Sequence, residues 1–450
     1  MRKYRYSDSI VTRNGETTVQ RNRFLSDLLT TLFDRSSSMR RTDDTRDIYD
    51  LCRALLSSEG EVSGQKLAAT VLDRYRALAQ NEQPAFFAFL NDELDIDAAA
   101  LSTLAAAYAD DPTPDAFKAL SHAAEPKRQE LLRRLNQPMG ATSELVTMRV
   151  DLLRILKDNP DLARTDHDFV HLLRSWFNRG FLVLKAINWD TPARILDKIV
   201  AYEAVHQIND WDDLRRRLYP PDRRCFAFFH PAMPDEPLIF VEVALTETIP
   251  GSVTKLLSDG RTPLEAEDAK VAVFYSISNC QKGLAGISFG NLLIKQVVAE
   301  LSLSFPQLED FVTLSPIPGL NRWLATQTED SVHGHIARAI LEHRATAQDI
   351  RAMAARYLLM GKRDDGMPID PVERFHLGNG AEVYDIHADA DTSANGLVQS
   401  SGAMVNYLYD LSLTERHHED FALKSIVTVA KSAQALSIMT LSSKPKEVSP

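Results

Sequence analysis

Over the first 178 residues the apolar positions recur at helical spacing, and beyond that point the period changes. In "SGQKLAATVLDRYRAL", Leu67, Val71, Tyr75 and Leu78 fall three or four residues apart with Leu72 beside them, the stripe of an amphipathic helix. "DIDAAALSTLAAAYADDPTP" is an alanine-rich helix closed by a proline-containing turn. "RTDHDFVHLLRSWFNRG" predicts a helix with a start signal at Thr165-x-x-Asp168 and a stop at Gly180. The first strand pattern is "FLVLKAINWD". A helix follows in "DTPARILDKIVAYEAV", its cap at Asp190 or Thr191 and Pro192 at or near its first position. "RCFAFFH", "PLIFVEVALT", "KVAVFYSIS", "FVTLSPIP" and "AEVYDIH" read as strands, with helices near 289–304, 336–344, 346–360 and 420–438. The third of these helices opens on a Thr346-x-x-Asp349 capping box and ends at Gly361. The pattern predicts an α+β chain. Residues 1–178 form an all-α bundle, a scaffold or oligomerisation surface, and 179–450 a mixed-sheet domain with flanking helices.

Composition narrows the picture. A chain of 450 residues, 44% hydrophobic and 25% charged, has the length and balance of a soluble globular protein with a substantial core. Its net charge of −11 argues against nonspecific binding to nucleic acid or anionic membranes, although 51 Lys and Arg leave enough for a local phosphate-binding patch. No run of about 18 apolar residues predicts a membrane span. The first residues, "MRKYRYSDSIVTRNGETTVQ", show no apolar stretch of the kind that marks secretion. Cys52, Cys225 and Cys280 are too few and too scattered for a disulfide framework or a structural zinc site, so a reducing cytosol is expected. Only the tail, "SSKPKEVSP", reads as disordered. His167 and His171 stand four apart on one helix, but without a third ligand they read as surface or packing residues.

The stretch richest in chemistry is "KVAVFYSISNCQKGLAGISFGNLLIKQVVAEL", a buried strand (271–277) entering a glycine-rich loop and then a helix. Phe289, Leu293, Val297 and Leu301, with Leu292 and Val298, mark the buried stripe of that helix. Gly283, Gly286 and Gly290 let backbone N–H groups approach a bulky anion. The helix N-terminus adds partial positive charge and Lys282 a full one, which outlines a pyrophosphate site. The spacing is neither GxGxxG nor GxxxxGK[ST]. It resembles the strand–loop–helix with which the GNAT acyltransferase fold grips coenzyme A, with Gly283 where Arg or Gln is usual and Ser288 at the last small position. Downstream, "FVTLSPIPGLNRW" places Ser315 between an apolar strand and a stiff Pro316-Ile-Pro318 segment, with Gly319 allowing a turn.

"FYSISNCQKGLAGISFGNLLIKQVV", "LSPIPGL", "FHLGNGAEVY" and "SSGAMVNYLYD", in this order and with "WDDLRRRLYPPDRRCFAFFHPAMPDEPL" upstream, resemble the malonyl-CoA decarboxylase family. That resemblance implies a helical bundle followed by a GNAT-like catalytic domain, and the conversion of malonyl-CoA to acetyl-CoA and CO2 with neither metal nor prosthetic group. It implies Ser315 of the LSPIPG motif as catalytic serine and proton acceptor or relay, His376 of the FHLxNGA motif as proton donor, and Tyr407 as an active-site neighbour. The acyl-CoA loop falls on Ala285, Gly286, Ile287, Ser288, Phe289, Gly290 and Asn291, flanked by Lys282 and Gly283. Animal members carry Glu where this chain has Ser288, so the role of that Glu does not transfer. The family also implies a homotetramer built largely through the helical half; the charge and the lack of a long apolar run predict no nucleic-acid or membrane partner. Peroxisomal members end in an SKL-type signal; "EVSP" instead implies a cytoplasmic, bacterial-type protein.

Chemistry is consistent with those residue types. Losing CO2 from a malonyl thioester sends two electrons toward C2 and the thioester oxygen. A metal-free site must then supply donors near that oxygen and a proton for C2, and an imidazole with a pKa near neutrality suits the second task. His230, before a proline-rich turn, reads as structural, His417 and His418 as solvent-facing in a charged loop, and Cys280 as a free thiol. Two other functions fit the same loop: an acyl-CoA-dependent acyltransferase, and a non-catalytic acyl-CoA sensor. A serine hydrolase fits less well, because Ser315 lacks a G-x-S-x-G elbow.

Overall fold

A computed structural model describes residues 44–58, 60–287, 290–328 and 331–439, which fall into two compact units divided at Leu172/Leu173. The first residues and the tail lie outside the described residues.

The N-terminal unit is helical: α1 (Ile48–Ser57), α2 (Glu61–Arg76), α3 (Gln83–Asp92), α4 (Ala98–Asp110), α5 (Pro114–Ala123), α6 (Lys127–Leu135), α7 (Ala141–Ile155) and the start of α8 (Ala163–Trp176). Val71, Leu72 and Tyr75 of α2 are buried, as their spacing predicts, whereas α4 and α5 bury none of their residues. The start signal read at Thr165-x-x-Asp168 is not a cap. Helix α8 begins two residues earlier, directly after a 3-10 turn at Pro160–Leu162. Thr165 is buried and donates its hydroxyl to Asn91 Oδ1 (3.0 Å), while Asp168 pairs with the buried guanidinium of Arg128. Buried polar groups took these partners because leaving them unpaired costs more than a missing cap. Gly180 lies beyond the end of α8, in a short 3-10 turn.

The second unit is built on an eight-stranded mixed sheet: β1 (Val183–Ile187), β2 (Arg223–Phe229), β3 (Ile239–Thr246), β4 (Val271–Asn279), β5 (Asp310–Thr313), β6 (Ser315–Pro316), β7 (Glu382–His387) and β8 (Met404–Leu408). Its order is β1-β2-β3-β4-β5-β8-β6, with β7 on β8. Around it run α9 (Ala193–Tyr202), α10 (Trp211–Leu218), α11 (Val253–Leu256), α12 (Gly290–Ser304), α13 (Leu320–Leu324), α14 (Val332–Leu341), α15 (Ala347–Met360), α16 (Pro371–Gly378), α17 (Ala394–Ser400), α18 (Thr414–Lys424) and α19 (Lys431–Ser437). Strands β2, β3 and β4 are almost continuously apolar because both faces are covered. One face packs Ile195, Leu196, Ile199 and Leu214 of α9 and α10 on Ala227 and Phe240; the other packs Val253 on Val273, Val312 and Met404.

Several boundaries differ from the sequence reading. The N-cap position of α9 falls on Pro192, which makes no side-chain cap, while Thr191 accepts from Asn188 N–H in the preceding turn. Helix α14 lies four residues earlier at its start than predicted, capped by the Ser331 hydroxyl on Gly334 N–H, and the chain turns at His343 with φ of 55°. The Thr346/Asp349 capping box and the stop at Gly361 are present. The single helix expected over 420–438 is two, because Ser425 takes a left-handed conformation and Val429 bridges to Val383 of β7. His417 and His418 stand on α18, and His418 Nδ1 meets Gly378 O at 2.7 Å.

The feature that positions the site is a parting of strands. β4 and β5 are parallel, joined through the glycine-rich loop and α12, and paired from Val271↔Asp310 to Phe274↔Thr313. After Leu314 N–H reaches Phe274 O (2.9 Å), the chain leaves β4 and Ser315 pairs with Val405 of β8. β4 continues alone on that side to Asn279, so a wedge opens between the two. A bulge opposite Glu242/Val243 falls at the same level of β4, a device that re-aims side chains beside sites.

Candidate active site

Ser315 and His376, 61 residues apart, meet in that wedge: Ser315 Oγ lies 3.1 Å from His376 Nε2. Ser315 arrives at the end of the β5–β6 stretch, where Pro316 and Pro318 leave the backbone little freedom to lose on ordering. His376 comes from α16, a helix that sequence periodicity overlooked. Asp370 caps it, accepting from Val372 and Glu373 N–H, and Pro371 opens its first turn. The other Asp370 oxygen accepts from Tyr357 O–H (3.3 Å) and Gly319 N–H (3.4 Å), tying the helix to the turn that follows Ser315.

The imidazole is enclosed. Its far nitrogen, Nδ1, lies 2.8 Å from the Tyr409 hydroxyl, and its ring stacks on Tyr407 at 4.5 Å and 25°. Phe375 packs edge-on at 5.0 Å. Burial pushes the His376 pKa down to about 3, so the ring is neutral at physiological pH and not the near-neutral acid that the sequence suggested. The Tyr407 and Tyr409 phenols are pushed well above their ordinary value by the same desolvation and remain protonated. Ser315 Oγ donates to Thr313 Oγ1 (2.9 Å), which also accepts from Tyr407 N–H (3.2 Å). Thr313 and Tyr409 escaped the sequence reading. Their signal was the two-residue step: Thr313 and Ser315, like Tyr407 and Tyr409, stand at i and i+2 on extended chain, so each pair shares a face.

A neutral buried histidine carries a pH signature. Below its ordinary value of 6.5 the unfolded ring takes up a proton that the folded ring refuses until about pH 3. Stability from this group is therefore complete above pH 6.5 and falls by about 1.4 kcal/mol per pH unit as pH drops through that window. His206, held down to about 4 by burial, adds a slope of the same sign. Urea unfolding between pH 6 and 4 should show a His376→Gln variant losing stability with a slope shallower by about that amount.

Beside the pair lies a cavity of about 340 Å³, lined by Val205, Phe274, Ile277, Val372 and Phe375, the prolines 316 and 371, and the polar Tyr275, Asn279, Ser315 and His376. Among the described residues, no Asp, Glu, Lys or Arg is in that lining. Described loop residues 282–287 are not part of it either; the cavity follows β4 only as far as Asn279, where the strand runs out toward the loop. In the loop Lys282 and Ala285 are exposed, Ile287 is buried, and Gly286 has φ of 78°, a conformation that disfavours any side chain. Ser288 and Phe289 lie outside the described residues, and Gly290 and Asn291 open α12. Leu293, Val297, Val298 and Leu301 are buried along that helix. Cys280 is a buried free thiol, and His230 is held structurally between Trp176 O (3.1 Å) and Ala232 N–H. His167 and His171 are exposed, and among the described residues no three His, Cys, Asp or Glu side chains converge as metal ligands.

Fold and site together define an α+β protein with a mixed sheet and a buried hydroxyl–imidazole pair at an apolar cavity. The malonyl-CoA decarboxylase C-terminal domain model matches residues 180–448, and the corresponding N-terminal domain model matches 94–177. The chain belongs to the malonyl-CoA decarboxylase family. It is 37% identical over 330 residues to the mitochondrial malonyl-CoA decarboxylase of Anser anser anser, covering 64% of this chain and 65% of that one. Against the Rattus norvegicus protein identity is 35% over 336 residues, covering 66% and 68%. The match thus spans about two thirds of these relatives' length. Among solved structures, malonyl-CoA decarboxylase from Rhodopseudomonas palustris is 47% identical with a TM-score of 0.81, covering 87% of this chain and 98% of that one. The Cupriavidus metallidurans enzyme is 34% identical with a TM-score of 0.68, covering 86% and 98%.

Proposed function

We propose that this chain decarboxylates malonyl-CoA to acetyl-CoA and CO2, using Ser315 and His376 and no metal or prosthetic group. The observation that carries the reading is the 3.1 Å contact between a serine hydroxyl and a neutral imidazole beside a cavity with no ionised side chain in its described lining. In such walls the malonyl carboxylate exchanges water for apolar surface, and the charge disperses as CO2 departs. The electron pair of the breaking C–C bond moves to C2 and the thioester oxygen. His376 Nε2–H, donated at rest to Ser315 Oγ, is the acid that meets this charge, and C2 then takes that proton. A thioester enolate is a stronger base than the imidazolate left when the ring gives up its N–H, so a neutral imidazole suffices as the acid. Ser315, freed of the N–H it accepted, turns its own hydroxyl to the vacated nitrogen. Tyr409 supports the ring at Nδ1, and one proton per turnover returns from solvent. The loop from Lys282 to Asn291, with the Gly286 turn and the positive end of α12, holds the coenzyme A phosphates.

Malonyl-CoA incubated with the purified chain and a chelator, without any acyl acceptor, should give acetyl-CoA and CO2 in equal amounts. Free malonate would identify a hydrolase. A product that forms only when an amine acceptor is supplied would identify an acyltransferase, and tight binding without product an acyl-CoA sensor.

A further inference from the structure

We infer that Thr313 is a positioning residue that selects the tautomer of His376, keeping the ring proton on Nε2, where the cavity needs a donor. One hydrogen-bond chain leaves each ring nitrogen a single role. Ser315 has a single hydroxyl proton, and it goes to Thr313 Oγ1 at 2.9 Å. Facing His376 Nε2 at 3.1 Å, Ser315 is therefore an acceptor, and Nε2 must carry hydrogen. A neutral imidazole has one N–H, so Nδ1 is bare and accepts from Tyr409 O–H at 2.8 Å. The whole sequence runs in one direction: Tyr409 to His376 to Ser315 to Thr313.

Thr313 is the terminus that sets this direction. It is fully buried at the last position of β5, and its oxygen is oriented by a second donor, Tyr407 N–H, at 3.2 Å. Its carbonyl is fixed as well, accepting from Asn406 Nδ2 at 2.8 Å. Remove that hydroxyl and the Ser315 proton turns to Nε2. The ring proton then moves to Nδ1, donating to Tyr409, and a lone pair faces the cavity. No proton is gained or lost, yet His376 changes from donor to acceptor at the reacting face.

The kinetic consequence rests on the proposed decarboxylation, but the tautomer does not, so the two fail separately. The full chain labelled with 15N in its histidine rings is compared as wild type, Thr313→Val and Thr313→Ser, with His376 assigned from the signal lost in His376→Asn. Wild type and Thr313→Ser should show a protonated Nε2, and Thr313→Val a protonated Nδ1. With malonyl-CoA, Thr313→Val should lose at least about tenfold in kcat with KM within about twofold, and Thr313→Ser should recover most of it. A protonated Nδ1 in the wild type, or an unchanged tautomer in Thr313→Val, overturns the inference. A changed tautomer with normal turnover would uphold the role of Thr313 and remove the Nε2–H from the chemistry.

Discussion

Replacing Ser315 with Ala should lower kcat for malonyl-CoA by roughly 10²–10³ while KM moves little. The hydroxyl lies at the hinge of the hydrogen-bond chain, between His376 Nε2 and Thr313 Oγ1. Without it the imidazole N–H has no resting acceptor, and the ring has no donor to cover the nitrogen it vacates. In the proposed site the coenzyme A portion is held by the loop and α12, which Ser315 does not build. The effect therefore belongs in the chemical step. The variant should also stay folded, because the segment is held by Pro316, Pro318 and the Asp370 contact to Gly319 N–H, none of which uses the Ser315 side chain. Steady-state kinetics together with thermal unfolding separate the two effects. Near-normal turnover in a folded Ser315→Ala protein would take the hydroxyl out of the mechanism.

The largest effect outside the pair is expected at Gly380. This residue follows α16 with φ of 84°, where a side chain is strained, and a Cβ there would overlap the carbonyl oxygen and the methyl of Thr414. Those atoms begin α18, five residues after Tyr409, so the close approach lies between the two segments that supply His376 and its Tyr409 partner. Gly380→Ala must either force the strained conformation or push these segments apart. Together the strain and the overpacking should cost roughly 2–5 kcal/mol. A displaced α16 also lengthens the 2.8 Å His376–Tyr409 contact, so kcat should fall in whatever fraction stays folded. Urea denaturation gives the first quantity and kinetics at low temperature the second. Wild-type stability would mean that the approach at Thr414 relaxes without cost.

How far the sequence reveals this site depends on the length of each pattern. The change from helical to strand period near residue 178 is legible because each signal is repeated many times. Strands β2, β3 and β4 are legible because burial on both faces leaves long apolar runs. β8 is not, since Asn406 interrupts it. That side chain is fully buried and satisfied by Thr313 O, Pro250 O and His387, partners only the fold supplies. Helix α16, eight residues long, is too short to show a period, and its local signal in the sequence is the Asp370-Pro371-x-Glu373 start. Ser315 and His376 were found through motif resemblance and not through spacing, because nothing periodic links residues 61 apart. Tyr409 was missed in favour of Tyr407. Both tyrosines pack on the imidazole, one stacked on its face and one hydrogen-bonded to its edge, and only coordinates tell which does which.

The most direct measurement is a double-mutant cycle in malonyl-CoA turnover: wild type, Ser315→Ala, His376→Asn and the double variant. Groups that act as one unit on the same developing charge are not additive. The double variant should be no more than a few-fold slower than the slower single variant, with each single reduced at least about a hundredfold. Losses that multiply, or a His376→Asn protein that turns over normally, would mean that the contact seen between hydroxyl and imidazole is not where the C–C bond is broken.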